Sequence, residues 1–432
     1  DRISANKKKV IYLFGVKIYE YKKAVCRSVI NKGDKIFKQR CSGFKDRISV
    51  FLSGYGAVAE YQTKLFSSLP NDYDIFVDCY SMGEFKNLNS ISKNHASNII
   101  PYANYDKNRS TVHSIAKIFV LADSEHHINS LNEAIKTKGE SNRYILLPEP
   151  VLIGLFFKKL SDSGDSFKDF MLKQYPMLDG KIKDNNFYEV AKTYDCYFIK
   201  PLIELTGITN FIVYTNHNKN RILKEVEREN IKINVKVINH SYERLSNIGK
   251  LNIKRKSGEF IIGTFGGPSY LKQTREIIEA VDILNKEGFA IKLVISGFMI
   301  DKYISKNNIN TDNLIVVDSK NNNKKFLEAM NSVDLAIQFR PKAFSASSGC
   351  VAELFGLKKE ILVNEGFVPE DIKQYFNFAP DKYLTPQEIA NIIKDILVKG
   401  ERKMNPADDV FKKYSFENVS KEVYDYVKKT IK

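Results

Sequence analysis

Short apolar, β-branched runs alternate with longer amphipathic stretches along most of this chain, and the alternation restarts once. The first round reads ISVFLS (48–53), DIFVDCY (74–80), KIFVLAD (117–123), YILLP (144–148), FIVYT (211–215) and VKVIN (235–239). The second reads FIIGTF (260–265), IKLVISG (291–297), LIVVD (314–318), DLAIQF (334–339) and EILVN (360–364). Continuous apolar runs of this length, separated by helical patterns, belong to strands covered on both faces of a parallel sheet. Two such rounds predict an α/β chain with two Rossmann-like domains facing each other across a cleft.

The seams follow from composition. The segment LNIKRKSGE (251–259) is charged and turn-prone and reads as a linker. This divides the chain into a basic leader (1–46), a first domain (47–250), a second domain (251–400) and C-terminal helices (401–432) that return toward the first domain. The stretch 155–205 reads as mostly helical, with SDSGDSFKDF as a loop.

Charge narrows the function. Of a net +16, the leader holds +9, from 13 Lys and Arg against 4 Asp and Glu. A chain that tracks nucleic acid would carry its basic excess on the folded body, so no nucleic-acid partner is expected. The leader interleaves its cations with Tyr, Phe and Ile, which suits an anionic membrane surface. A basic edge packed on the first domain is the alternative. No run of about eighteen apolar residues is present. Five dispersed cysteines without a C-x-x-C pair argue against disulfides or structural zinc and fit a reducing cytoplasm, where the basic leader would meet the inner face of the membrane. The sequence starts at Asp1 rather than Met, which leaves open a longer protein.

In open α/β sheets, ligands gather where a glycine-rich turn meets a helix N-terminus beyond a strand's carboxyl end. Three turns qualify: Gly54 and Gly56 after the first strand of the first domain, Gly266 and Gly267 after the first strand of the second domain, and Ser345, Ser347, Ser348 and Gly349 before its later helix. Lys272 and Arg340 lie close to the last two turns in sequence and would pair with a diphosphate. Glu353, on the helix that follows, would accept from ribose hydroxyls. The one D-x-D, Asp72-Tyr73-Asp74, precedes a strand and reads as a loop rather than a metal site. His217 reads as a loop histidine.

Two stretches carry a family resemblance. FIIGTFGGPSYLKQTREIIEAVDILNKEGFAIKLVISG and VDLAIQFRPKAFSASSGCVAELFGLKKEILVNE resemble the donor domain of the large retaining GT-B glycosyltransferase family marked by E-x7-E, family four in the standard classification. Lys272 falls on the family's phosphate-binding lysine and Glu353 on its second glutamate. Ser345 stands at the first glutamate, and Gly267 at an arginine many members carry. Upstream, DSEHHINSLNEAI and YILLPEPVLIG are similar to the acceptor domain of polysaccharide-building members, with His127 at its histidine and Pro148-Glu149 at its H-D pair; His240 falls on a further histidine or asparagine.

The resemblance covers about residues 48–395. It implies a metal- and cofactor-independent hexosyltransferase with His127 and Glu149 as catalytic residues. Its partners would be a nucleotide sugar and a glycan or lipid-linked glycan of bacterial surface polysaccharide, such as lipopolysaccharide, capsule or exopolysaccharide. A GT-B epimerase or phosphorylase, and a non-catalytic scaffold with a degenerate donor domain, remain the alternatives.

Overall fold

The computed structural model describes residues 10–13, 16–19, 27–40, 47–79, 81–91, 98–183, 186–319, 322–341, 348–365, 368–400, 403 and 405–431. The chain forms two compact units, Asp1–Ile115 and Ala116–Lys432.

In the first unit, β1 (Val10–Leu13) and β2 (Val16–Tyr19) make an antiparallel pair. The helix Arg27–Arg40 follows, and then β3 (Ile48–Ser53), β4 (Tyr73–Asp78) and β5 (Ile99–Pro101), parallel in the order β5-β4-β3. The helix Arg27–Arg40 was read with the basic leader, yet it packs on this unit. Val29 and Phe37 are buried, and Asn104 donates to Ile30 O (3.0 Å) and Asp34 Oδ1 (2.7 Å). Arg40 at its end pairs with Asp74, the last residue of D-x-D, and donates to Pro70 O (2.6 Å). Tyr73 and Asp74 therefore open β4 rather than lie in a loop, and the carboxylate is committed to an ion pair at the strand's amino end.

The second unit contains β6 (Ala116–Val120), β7 (Arg143–Leu147), β8 (Asn210–Val213) and β9 (Asn234–Val237), each parallel to the next. It also contains β10 (Phe260–Phe265), β11 (Ile291–Ser296), β12 (Leu314–Val317), β13 (Leu335–Gln338), β14 (Glu360–Asn364) and β15 (Asn377–Ala379), a parallel sheet in the order β12-β11-β10-β13-β14-β15. Alternate residues of that sheet enter different cores: Ile261, Val294 and Val363 on one face, Ile262, Leu293 and Leu362 on the other. Both faces are covered, as the apolar runs require.

Contacts explain why β6–β9 cluster with β10–β15. Tyr242 N donates to Tyr414 O (2.9 Å) and Leu245 N to Gly356 O (3.0 Å). The last helix, Phe416–Thr430, returns to β7 and β9: Tyr144 OH lies 2.7 Å from Thr430 Oγ1, and Lys236 pairs with Glu422 at 2.9 Å. The expected linker is an irregular segment pinned by Arg255, which grips Asp334 at 2.9 and 2.8 Å. The expected loop SDSGDSFKDF is instead a tight helix-to-helix turn. Gly164 ends Ile153–Ser163 in the left-handed region, and Ser166 caps Phe167–Gln174. The helix Pro386–Lys399 opens with a capping box between Thr385 and Glu388.

Candidate functional site

The site is built where β10, β11 and β13 end. Gly266 follows β10 with φ 91°, and a side chain on it would overlap Lys272 Nζ and come within 3.4 Å of Cys350 Sγ. The turn after β11 presses against it: a Cβ on Gly297 would overlap Gly266 O. Two peptide backbones thus meet with no room for side chains, which leaves a bare floor beneath Lys272. That lysine ends a single turn, Tyr270–Lys272, capped by Ser269, and its Nζ lies 3.4 Å from Phe265 O. Burial, then the Arg340 charge, push its ammonium down to about 7.

Arg340 follows β13. Its backbone N–H donates to Asn364 Oδ1 (2.6 Å) and its Nη1 to Phe339 O (2.8 Å), so the end of β14 fixes where the guanidinium starts. Burial lowers its basicity, while Cys350 and Glu149 favour its charge. The helix Gly349–Gly356 begins here, with Ser348 at its N-cap position. Burial raises the Cys350 thiol, with Lys272 and Arg340 opposing and Glu353 reinforcing. Lys272, Arg340, Ser348, Gly349, Cys350 and Glu353 therefore share one neighbourhood with Gly266. Gly267 is beside it, 3.7 Å by its would-be Cβ from Phe298 O, and the Phe298 ring is 61% exposed. Ser345 and Ser347 lie outside the described residues.

An acidic group adjoins Arg340. Glu149 follows β7 and accepts from Asp123 N (3.1 Å), just past β6. Burial first, then the Asp123 charge, push the Glu149 carboxyl up to about 7. Burial likewise carries Asp123 up to about 6, although it accepts from Tyr188 OH and from the N–H groups of Gly154 and Leu155. Gly154 is needed for this: a Cβ there would stand 2.9 Å from Tyr188 OH and 3.1 Å from Asp123 Oδ1. Asp123, Tyr188 and Gly154 have no sequence motif; they meet only because β6, β7 and two helices converge.

Three histidines and two glycines complete the expected residues. His127 is 2% exposed, with Nδ1 3.0 Å from Val120 O, and burial pushes it down to about 4. The ring is a neutral donor that ties the turn Glu125–His127 to the end of β6. His240 is also buried and down at about 4, set edge-on between Tyr214 and Tyr242. His217 sits in the first turn of the helix Asn216–Glu227 rather than in a loop. In the first unit, a Cβ on Gly54 would stand 2.6 Å from Asp78 O, and Gly56 (φ 91°) caps the helix Ala57–Ser67. Both serve a tight strand-to-helix turn. Among the described residues no group of three His, Cys, Asp or Glu is placed to hold a metal ion, and no helix is long and apolar enough to cross a membrane.

No family model matches the chain, and no curated protein matches its sequence. Solved structures match its fold. A glycosyltransferase from Rickettsia africae ESF-5 is similar with TM-score 0.51 and 11% identity, over 89% of this chain and 99% of that one. A sucrose-phosphate synthase from Thermosynechococcus elongatus is similar with TM-score 0.53 and 10% identity, over 89% and 99%. The fold is that of the GT-B glycosyltransferases, with two parallel-sheet Rossmann-like domains.

Proposed function

We propose that this chain is a GT-B glycosyltransferase that moves a sugar from a nucleoside diphosphate to a glycan or lipid-linked glycan acceptor in bacterial surface-polysaccharide synthesis, with retention. One observation carries the reading: two cations held below their ordinary basicity, Lys272 and Arg340, converge over the bare turn at Gly266 and the start of the helix Gly349–Gly356. Among the described residues neither cation forms an ion pair, and Glu149 acts on Arg340 only through its field. Buried cations so placed are best completed by an anion, which a leaving diphosphate supplies.

The donor phosphates would lie over Gly266 and Gly267, paired with Lys272, Arg340, Ser348 and Gly349. Glu353 would hold the ribose, and the exposed Phe298 ring offers a face to the base. Retention in one step requires the acceptor oxygen to bond to the anomeric carbon on the same face that the diphosphate leaves, and Glu149, poised near neutrality, takes the proton of that oxygen. The bond from that carbon to the diphosphate breaks, and the electron pair leaves with the phosphate, stabilised by the two cations. No metal is invoked. Isothermal titration with uridine, guanosine and thymidine diphosphates tests the placement: at least one binds the wild-type chain, and Lys272→Ala weakens it by roughly 1.5–3 kcal/mol. Unchanged binding in that variant refutes it.

A scaffold with a degenerate donor site is the second reading, supported by Ser345 standing where the resembling family has a glutamate. It requires that none of these nucleotides binds. We further place the chain in the cytoplasm, at the inner membrane face. The helix Arg27–Arg40 turns Val29 and Phe37 inward and leaves Arg27, Lys32, Lys35 and Lys38 exposed, a basic surface worth about 1 kcal/mol per engaged cation on anionic lipid. Sedimentation with phosphatidylserine vesicles, lost on reversing those four charges, checks this.

A further inference from the structure

A hollow of about 840 Å³ opens at the opposite end of β7, β8 and β9 from Glu149, under the last helix. Its volume lies within the range of about 300–1,000 Å³ usual for ligand clefts. Arg143, Asn210 and Asn234 mark the amino ends of the three strands, so the five residues of β7 separate it from the acidic group by about 15 Å. The transfer reading does not use it.

Its walls divide into frame and free groups. Arg143 belongs to the frame, donating to Glu140 O (2.8 Å), Thr206 O (2.8 Å) and Ala134 O (3.2 Å), and Lys236 is paired with Glu422. Lys219 is different: among the described residues its ammonium has no ion-pair partner, although it lines the hollow. Asn234, exposed at the start of the edge strand β9, donates to Asn210 Oδ1 (3.0 Å). The Tyr426 ring, held edge-on to Tyr144 at 6.1 Å, adds a flat apolar surface, with Leu223 beside it.

We propose that this hollow is a second glycan-binding site, taking a short acidic oligosaccharide. Asn210 is part of the frame, donating to Arg143 O (3.3 Å) and accepting from Asn234. The exposed Asn234 amide matches sugar hydroxyls, a tyrosine face and an aliphatic wall match the C–H faces of the rings, and the Lys219 ammonium selects a carboxylate or phosphate on the chain. The choice of a glycan rests on the transferase reading; the polarity and charge of the site do not. Such a site would hold a growing polymer while its end is extended elsewhere, adding the effective concentration of a second foothold.

Titration of the full chain with tetragalacturonate and maltotetraose tests it, using Lys219→Glu and Asn234→Ala, both on partly or fully exposed positions. Tetragalacturonate is expected to bind wild type more tightly than maltotetraose and to lose about tenfold in Lys219→Glu, and less in Asn234→Ala. Uridine diphosphate, added as a competitor, should not displace it. No binding of tetragalacturonate, equal binding by Lys219→Glu, equal affinity for maltotetraose, or displacement by the nucleotide would each overturn the proposal. Lys219-dependent binding in a chain that ignores every nucleoside diphosphate would instead sink the transferase reading and leave this site standing.

Discussion

The strand ends of the second sheet and those of β6 and β7 share a topology and carry opposite chemistry. Beyond β10 and β13 stand cations whose burial lowers their basicity; beyond β6 and β7 stand carboxyls whose burial raises their pKa. In both places low polarity penalises the charged form, and the sign of the residue decides which ligand relieves the penalty. The cationic side awaits an anion. The acidic side holds a proton near neutral pH and is suited to exchanging it. Arg340, felt by both Lys272 and Glu149, links the two groups of opposite sign, the pairing on which the proposed transfer rests.

The contrast can be broken most severely at the floor of the cationic side. Gly297→Val drives a side chain into the Gly266 backbone and should cost about 3 kcal/mol. A melting temperature lower by several degrees is expected; an unchanged one would show that the two turns part easily. Next in size, Lys272→Met should lose roughly 1.5–3 kcal/mol of diphosphate affinity without lowering the melting temperature.

Its pH signature is specific. The folded ammonium titrates near 7, below its ordinary 10.5, so the unfolded chain binds the extra proton between those values. Stability therefore rises with pH across that window, and the methionine variant should lack this rise. Diphosphate affinity of the wild type should fall as pH climbs above about 7.

A smaller loss, about 1 kcal/mol, is expected from Phe298→Ala for a nucleoside diphosphate but not for pyrophosphate, as only the first offers a base to stack. Titrating both ligands separates base from phosphate recognition. The acidic side is tested by a slope against pH rather than by a loss of affinity. Glu149 is protonated in the folded chain up to about 7 but only to about 4.5 unfolded, so it makes stability decline as pH rises between those values. Glu149→Gln should flatten that decline, leaving the part Asp123 contributes below about 6. Chemical denaturation at a series of pH values would show it, and an unaltered slope would mean that Glu149 is ionised at neutral pH.

The two sides also differed in how far they could be read from sequence. Phosphate chemistry writes itself locally: a glycine turn, a lysine a few residues on, an arginine after a strand. Gly266, Lys272 and Arg340 were singled out on that pattern, and the structure brings them into one neighbourhood; that they bind phosphate is the proposal. The acidic side is written across distant segments. Glu149 was reached only through a family resemblance; Asp123, Tyr188 and Gly154 were missed because residues 123, 154 and 188 have no periodic relation. His127, which the resemblance placed in catalysis, is spent on Val120 O, since a ring just past a buried strand finds a carbonyl before it finds solvent. Whereas β1 and β2 were read as part of the basic leader, from β3 onward strands of four residues or longer were legible as apolar runs. The three-residue strands β5 and β15 were not, because Ile99–Pro101 and Asn377–Ala379 are too short to show a period.

The abutting backbones of Gly266 and Gly297 bear on how such a chain can diversify. The cations above them reach in on long side chains and can be exchanged one at a time, whereas the floor is peptide alone and is indifferent to what replaces them. A lineage could thus trade one anionic group for another, or a charge for a hydroxyl, and inherit the turn intact.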